Sequence, residues 1–292
     1  MKIVIIGAGG FVGKNLVRFL KQKNIEVQGF TSKEPGNIDP LTGILSDNFS
    51  IPDGTNTIIY LSQSPYYRQD MEKSSHIMNV NMVSAVRLAE LSIKSKVEHF
   101  IYFSSGNVYK PSFKPLNENT PFRRDNWYSL SKIHAEEELA LYKNDIKITI
   151  VRPFGIYGPG QIDKLIPNLL NSILNRKEVY IQRNPNDEYD LDGVKISLCY
   201  IDDLINILYE LLFKKEISHI NIAGNKVVSI REISMILSKF LKKDVSFKIL
   251  DQYRNSDFIA DISLLQKILN PKFTNIEDGL KKVVDYTINN KF

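Results

Sequence analysis

The chain has 292 residues, of which 43% are hydrophobic and 24% charged, so it can bury a sizeable core and is too apolar for a disordered protein. Its 38 lysines and arginines exceed its 33 aspartates and glutamates by five, but they form dispersed pairs without a long basic run, which argues against nucleic-acid binding. A lone cysteine, Cys199, excludes an intrachain disulfide, and the four histidines lack metal-ligand spacing, so we expect no metal.

No apolar stretch reaches the length of a membrane span. The apolar residues 3–6 are too few for the core of a signal peptide. Together with the single cysteine, these features predict a protein of the reducing cytoplasm, without a membrane partner.

Short apolar runs alternate with helical patterns over the first half of the chain. Strands are predicted at 2–6, 25–30, 57–62, 99–105 and 147–153, and helices from Val12 onward, at about 80–95 and at about 129–142. Nearly continuous apolar strands separated by helices are typical of a parallel sheet covered on both faces. This pattern predicts a Rossmann-like, doubly wound α/β fold.

After Pro153 the alternation becomes less regular. We predict a helix at 164–176, a polar stretch at 182–193, strands at 196–201 and 219–224, helices at about 203–214 and 230–242, and short helices in the tail 261–292. We expect a nucleotide-binding domain over 1–153, to which 196–224 partly returns, and a smaller α/β substrate-binding domain over 154–292. One large α/β unit is the alternative.

A glycine pattern directly follows the first strand and opens the first helix. Gly7, Gly10 and Gly13 permit a tight turn and a close approach of the backbone to a pyrophosphate, and the start of the helix offers free N–H groups. With Phe11 and Val12 between them, they form the predicted dinucleotide loop. The alternative is a glycine-rich structural turn.

The end of the second strand indicates which dinucleotide is bound. Thr31, Ser32 and Lys33 stand where an acidic residue would bind the ribose 2′-hydroxyl of NAD. Two hydroxyls and a cation suit a 2′-phosphate instead, so we expect NADP(H) to be favoured over NAD(H). The alternative is an ordinary polar turn.

A tyrosine and a lysine lie four residues apart in the helix predicted at about 129–142. Tyr128 and Lys132 therefore share one helix face, and an ammonium beside a phenol favours the phenolate. Ser105, at the end of a predicted strand, would lie at the carboxyl edge of the sheet and donate to a substrate oxygen. Such a trio suits proton transfer to or from a carbonyl oxygen during hydride transfer. The pair alone also fits a surface tyrosine.

Six segments together resemble the extended short-chain dehydrogenase/reductase family of nucleotide-sugar epimerases, dehydratases and reductases. They are GAGGFVG at 7–13, NVN at 79–81, FSSGNVY at 103–109, YSLSK at 128–132, RPFGIYGPGQ at 152–161 and YIDD at 200–203. The resemblance, which covers nearly the whole chain, implies that Ser105, Tyr128 and Lys132 are the catalytic set and that Tyr128 and Lys132 also contact the cofactor.

The same resemblance implies further cofactor contacts from Leu61, Ser62, Gln63 and Pro153, although Ser62 and Gln63 replace the usual small pair and Tyr60 replaces the usual histidine. Asn81 is similar to the family's helix asparagine near the site. That Asn81 is only a polar residue on the face of a helix is an equally good interpretation.

Three departures from the family pattern bear on the reaction and the substrate. Family dehydratases carry an Asp-Glu pair where Gly106 and Asn107 stand here, which argues against a 4,6-dehydratase. Gly155 replaces an asparagine that binds the substrate diphosphate in many relatives. An arginine that often precedes YxDD is missing from 196–199.

The resemblance and the intact trio predict a reductase of a nucleotide-linked keto sugar, with Tyr128 as the proton donor. A nucleotide-sugar epimerase that retains its cofactor is the alternative. A third hypothesis is a non-catalytic protein that senses redox state or serves as a scaffold, but such relatives tend to lose the tyrosine–lysine pair. The helices near 80–95 and 129–142 resemble those that build the family's homodimer, so we expect a homodimer.

Overall fold

The computed structural model describes residues 1–32, 37–69 and 71–291. The chain forms two compact units. One comprises Met1–Lys110, Glu118–Pro153 and Ile205–Ile220, and the other Pro111–Asn117, Phe154–Leu204 and Asn221–Phe292. Within the described ranges, no helix is both long and apolar enough to cross a bilayer.

The central sheet has six strands in the order β10-β5-β4-β3-β1-β2. They are β1 (Lys2–Ile6), β2 (Glu26–Phe30), β3 (Thr57–Tyr60), β4 (His99–Phe103), β5 (Lys147–Pro153) and β10 (His219–Ile222). The pairs that join β2, β1, β3, β4 and β5 are all parallel. This order, with helices in the crossovers from β1 to β2, β3 to β4 and β4 to β5, confirms the predicted doubly wound α/β fold.

The sheet forms because its central strands are apolar without interruption. Every side chain of β3 and β4 is buried, as are residues 3–6 of β1. Each large apolar side chain that is fully buried contributes about 1.5–3 kcal/mol relative to an exposed one. Helix α1 (Phe11–Gln22) buries Gly13, Leu16 and Leu20, a spacing of three and four residues that places them on one face.

The helix predicted at about 80–95 consists of three successive parts. They are α2 (Ser74–Met78), a π-helical turn (Asn79–Val83) and α3 (Ser84–Lys94). The Tyr60 hydroxyl donates to the Val80 carbonyl at 2.5 Å, and the Tyr102 hydroxyl donates to the Asn81 carbonyl at 2.6 Å. Burial raises the pKa of both tyrosines. The π-helical turn therefore supplies acceptors for two hydroxyls that have no access to water.

Helix α4 (Trp127–Leu141) completes the helices that the site uses. The Asn126 side chain caps its start by accepting from the Ser129 N–H at 2.9 Å. The cap fixes where the helix begins, and it places Tyr128 in the first turn.

The remaining strands form three two-stranded sheets. β6 (Ile156–Tyr157) pairs with β9 (Cys199–Tyr200), β7 (Val179–Arg183) with β12 (Phe247–Tyr253), and β8 (Lys195–Ser197) with β11 (Val227–Ser229). The remaining helices are α5 (Leu165–Leu174), α6 (Ile201–Leu211), α7 (Ile230–Leu241), α8 (Ser263–Ile268) and α9 (Ile276–Lys291).

The segment 196–224 contributes β10 to the central sheet, whereas β8 and β9 pair with β11 and β6. Two features of this half differ from what the sequence predicted. Strand β12 was not predicted, and the tail holds a sixteen-residue helix, α9, where short helices were expected.

A buried ion cluster organises the polar stretch at 182–193. Arg254 Nε donates to Asp257 at 2.9 Å, and its Nη1 donates to Asp190. Asp190 also accepts from the N–H groups of Asn184 and Asp192. The cluster therefore fixes a segment that has little apolar surface of its own.

Candidate active site

The glycine loop packs too closely for side chains. A Cβ on Gly13 would lie 2.4 Å from the Gly7 carbonyl oxygen, and one on Gly7 would lie 2.8 Å from the Ser62 nitrogen. Gly7 also has φ +90°, which disfavours other residues. Gly10 is the N-cap of α1 and brings no side chain to the helix start. Backbone N–H groups therefore remain for an anion at this helix end.

A cleft of about 420 Å³ lies beside this loop. Seven of the predicted cofactor contacts line it: Gly7, Gly10, Thr31, Ser32, Leu61, Ser62 and Gln63. Phe11, Val12 and Gly13 form the first turn of α1, and Pro153 ends β5, but none of these four lines the cleft, and neither do Tyr128 and Lys132. Lys33 lies outside the described residues.

Among the cleft residues that the sequence did not predict, Asn37 stands out because its side chain has an unpaired polar atom. Asn37 is 4% exposed and donates from Nδ2 to the Thr31 carbonyl at 2.8 Å. Among the described residues, no hydrogen-bond partner faces its Oδ1. A buried acceptor without a partner costs about 1–3 kcal/mol, so this atom favours a ligand with a donor. Asn37 belongs to no motif that could have indicated it.

Asn81 connects the loop after β3 with helix α4. This fully buried residue accepts from the Ser64 N–H at 3.1 Å and donates to Ser131 Oγ at 3.0 Å. Its side chain therefore holds the loop that carries Gln63 against the helix that carries Tyr128. Neither interpretation of Asn81 from the sequence, as a residue near the site or as a polar residue on a helix face, predicted this linking role.

Ser105 and Tyr128 meet beyond the carboxyl end of β4. Ser105 opens a short 3₁₀ helix (Gly106–Val108), and its Oγ accepts from the Asn107 N–H at 3.1 Å. The Tyr128 hydroxyl donates to Gln63 Oε1 at 3.1 Å. Burial raises the pKa of Tyr128 to about 12, against a lowering by its hydrogen bond with Ser105. In this state Tyr128 is a neutral phenol at physiological pH.

Lys132 lies one turn further along α4. It is 1% exposed, and its ammonium donates to the Phe103 carbonyl at 2.7 Å. Burial lowers its pKa to about 7, although the Glu136 carboxylate favours the charged form. A lysine that titrates near neutral pH can both give and take a proton under physiological conditions.

A buried ion pair behind Lys132 was also missed from the sequence. Glu136 accepts from Arg152 Nε at 3.1 Å and Nη2 at 2.5 Å, and from the Ser104 hydroxyl. Arg152 Nη1 donates in turn to the Tyr109 hydroxyl at 2.8 Å. The network joins α4 to the ends of β4 and β5, so it fixes the strand end that carries Ser105. The spacing of Glu136 four residues after Lys132 was the available signal.

Gly155 has a packing reason to be glycine. Its φ is +41°, and a Cβ there would lie 2.5 Å from the Ser197 carbonyl oxygen. The backbone of β8 therefore leaves no room for the asparagine found in many relatives.

The described residues suit a dinucleotide in three respects: the glycine turn has no room for a Cβ, the start of α1 has free N–H groups, and Asn37 has a buried acceptor. Over the same residues, no group of three or more histidine, cysteine, aspartate or glutamate side chains could hold a metal ion.

Comparison with known proteins shows a family match over most of the chain. Residues 3–223 match the model of the NAD dependent epimerase/dehydratase family. A putative UDP-glucose 4-epimerase of Methanocaldococcus jannaschii is 24% identical, with 99% of each chain covered. A GDP-6-deoxy-D-talose 4-dehydrogenase of Aggregatibacter actinomycetemcomitans is 25% identical, with 97% of each chain covered.

A solved structure is similar over its full length. UDP-glucuronic acid 4-epimerase from Bacillus cereus, in complex with UDP-glucuronic acid and NAD, has a TM-score of 0.81, 25% identity and 100% coverage of both chains. The resemblance seen in the sequence is thereby confirmed. The chain is an enzyme of the short-chain dehydrogenase/reductase type and belongs to the NAD dependent epimerase/dehydratase family.

Proposed function

We propose that this enzyme is an NADP(H)-dependent reductase of a nucleotide-linked deoxy-keto sugar. The observation that carries the proposal is the Tyr128 hydroxyl, a neutral proton donor that Ser105 and Gln63 hold in place next to the cleft. A carbonyl reduction needs such a donor at the developing alkoxide. The similarity to a dehydrogenase of a GDP-linked deoxy sugar supports the substrate class.

The residues of the site then have separate tasks. A bound dihydronicotinamide supplies a hydride to the carbonyl carbon. Ser105 donates a hydrogen bond to the carbonyl oxygen and orients it, and Tyr128 gives that oxygen its proton. Lys132 stabilises the phenolate that remains, because a nearby ammonium favours the charged form of a tyrosine.

The preference for NADP(H) rests on the cleft around Thr31 and Ser32. The carboxylate that lines this part of the cleft is Asp39, and its Oδ1 already accepts from the N–H groups of Leu41 and Thr42. A 2′-phosphate requires donors rather than acceptors, and the hydroxyls of Thr31 and Ser32 can provide them. Lys33 would add a cation.

The alternative is a nucleotide-sugar epimerase with tightly bound cofactor. The similarity to two epimerases, one of them solved with NAD, favours this second candidate. Such an enzyme would oxidise and re-reduce one carbon with the same three side chains.

Cofactor turnover distinguishes the two candidates. The purified protein is incubated with NADPH or NADH and with UDP-, dTDP-, GDP- and CDP-linked keto sugars, and the loss of nicotinamide absorbance is followed. A reductase consumes one NADPH per sugar reduced. Nicotinamide that stays bound through purification, together with epimerised sugar and no net cofactor consumption, would establish the epimerase instead. Tighter binding of NAD(H) would contradict the cofactor preference.

The substrate-binding role of residues 154–292 and the homodimer belong to the same proposal. Light scattering of the purified protein measures its mass, and a monomer of 33.5 kDa would contradict the dimer.

A further inference from the structure

The loop that follows β3, residues 61–69, brings two of its side chains against Tyr128. Gln63 Oε1 accepts from the Tyr128 hydroxyl, although the two residues are 65 positions apart. The Tyr67 ring lies 5.8 Å from the Tyr128 ring, centroid to centroid, in a tilted arrangement. The Gln63 side chain is an amide, which carries no charge. The catalytic hydroxyl thus faces a neutral acceptor and an aromatic ring on this side.

We propose that Gln63 is a catalytic residue, whose side-chain carbonyl keeps the Tyr128 hydroxyl protonated and oriented until the carbonyl oxygen of the substrate takes its place. The proposal rests on the reductase function proposed above. It gives Gln63 a task beyond the cofactor contact expected from the resemblance.

The first argument concerns which form of Tyr128 each neighbour favours. A hydrogen bond accepted from the hydroxyl stabilises the phenol, because the phenolate has no proton to donate. The amide of Gln63 cannot itself take up the proton. Tyr67 acts in the same direction and raises the pKa of Tyr128, whereas Ser105 lowers it.

The ammonium of Lys132, one turn along α4 from Tyr128, is hydrogen-bonded to another group. The Lys132 ammonium donates to the Phe103 carbonyl at 2.7 Å and lies 4.8 Å from the centre of the Tyr102 ring. Tyr102 is itself a buried phenol that donates to the Asn81 carbonyl. With Lys132 held by Phe103, Gln63 is the hydrogen-bond acceptor for the Tyr128 proton in this state.

The second argument concerns displacement. Gln63 is exposed and lines the cleft, so its side chain can turn away when a sugar enters. A ketone oxygen then replaces an amide oxygen as the acceptor of the same hydrogen bond. During reduction a C–H bond forms with the hydride from NADPH, which becomes NADP⁺. The Tyr128 O–H bond breaks, the alcohol O–H forms, and the phenolate regains a proton from solvent.

The pKa of Tyr128 tests the contact without cofactor or sugar. The protein is labelled with 3-fluorotyrosine and titrated with base while ¹⁹F NMR spectra are recorded, and the resonance missing from Tyr128→Phe belongs to Tyr128. Gln63→Met, which removes the acceptor at similar size, should lower the titration midpoint by about half to one pH unit, the equivalent of one hydrogen bond. Gln63→Glu should raise it, because a carboxylate opposes the phenolate.

The matched control is Gln69→Met, the same change at an exposed position of the same loop, which should leave the midpoint in place. Thermal unfolding of each variant checks that it is folded. A midpoint in Gln63→Met that is equal to or higher than that of the wild type overturns the proposal.

Kinetics test the catalytic part separately. The assay uses NADPH and whichever keto sugar of the panel above the enzyme reduces. In Gln63→Met, the decrease of kcat/KM at high pH should begin at a lower pH than in the wild type. The decrease of kcat should occur at the same pH in both proteins. The pH dependence of kcat/KM reports the pKa values of the enzyme without bound sugar, in which Gln63 contacts Tyr128. The pH dependence of kcat reports those of the complex, in which the substrate has replaced Gln63.

The two proposals fail in different ways. If both profiles shift together, or neither shifts, the displacement of Gln63 is wrong even though the reductase is real. If the NMR shift occurs but no sugar is reduced, the reductase proposal fails and the contact remains.

Discussion

The two ends of β4 both carry buried ionisable groups, but only one end leads to the cleft. At the start of the strand, His99 is fully buried, its Nε2 lies 2.9 Å from Thr149 Oγ1, and Thr149 donates to the Ile217 carbonyl. At the other end, the Phe103 carbonyl holds the Lys132 ammonium, and Ser105 follows. Burial lowers the pKa of His99 to about 4 and that of Lys132 to about 7. Burial thus lowers the pKa of a basic group at both ends, and in the proposed function only the group at the carboxyl end takes part in the chemistry.

The largest effect is expected from removing the proton donor at the carboxyl end. Tyr128→Phe should lower kcat/KM by about 10²- to 10⁴-fold, the usual contribution of general acid catalysis. The affinity for the dinucleotide, measured by fluorescence titration, should change little. Tyr180→Phe, the same change at an exposed tyrosine of β7, is the matched control and should keep the activity. Unchanged activity of Tyr128→Phe would show that this end of the strand is not the catalytic one.

The ion pair behind the same end provides the second test. Glu136→Gln leaves the Arg152 guanidinium buried without its carboxylate, which should lower the free energy of unfolding by about 3–5 kcal/mol. Urea unfolding measures the change.

The matched control for this test lies next to it on the same helix. Glu137 forms an exposed pair with Arg124, and Glu137→Gln should cost less than about 1 kcal/mol. Equal losses for the two variants would mean that the buried network does not hold the catalytic strand end.

The opposite end of β4 should show its effect as a pH dependence of stability. The His99 pKa is lower in the folded protein than the ordinary 6.5, so below that pH the unfolded chain binds a proton that the folded chain refuses. The free energy of unfolding therefore has its full value above pH 6.5. As the pH falls towards 4, it should decrease by about 3 kcal/mol.

Urea unfolding at several pH values compares the wild type with His99→Gln, which cannot titrate. The variant should show a flatter dependence over this range. An equal slope in both proteins would assign the loss to other groups.

The smallest effect is expected at Asn37, which lines the cleft. Asn37→Ala should weaken NADPH binding by about 5- to 10-fold, the value of one hydrogen bond. Thermal stability should stay nearly constant, because the substitution also removes a buried acceptor that lacks a partner. An NADPH affinity within twofold of the wild type would show that Oδ1 does not contact the cofactor.

The fold was predictable where burial is continuous. β1, β3 and β4 read directly as strands, because both faces of the central sheet are covered and no polar residue interrupts the pattern. β12 could not be recognised, since Lys248, Asp251 and Gln252 are exposed and its pairing with β7 depends on backbone hydrogen bonds rather than on a hydrophobic face.

The site was predictable only in part. Ser105, Tyr128 and Lys132 follow from their spacing and from the strand end that precedes them. The contacts of Gln63 and Glu136 depend on segments that are distant in the chain, and Asn37 acquires its importance from an atom that no neighbour satisfies. Such features belong to the folded surroundings rather than to a local pattern.

The π-helical turn makes the length of this segment critical. Each residue turns a helix by about 100°, so deleting one residue from Asn79–Val83 would rotate α3 by that angle relative to α2. Ala85 and Leu88 would leave the sheet, and two tyrosine hydroxyls would lose their acceptors. A substitution at the exposed Val83 would leave these contacts in place, whereas an insertion or deletion in the turn would also displace Val80, which lines the cleft.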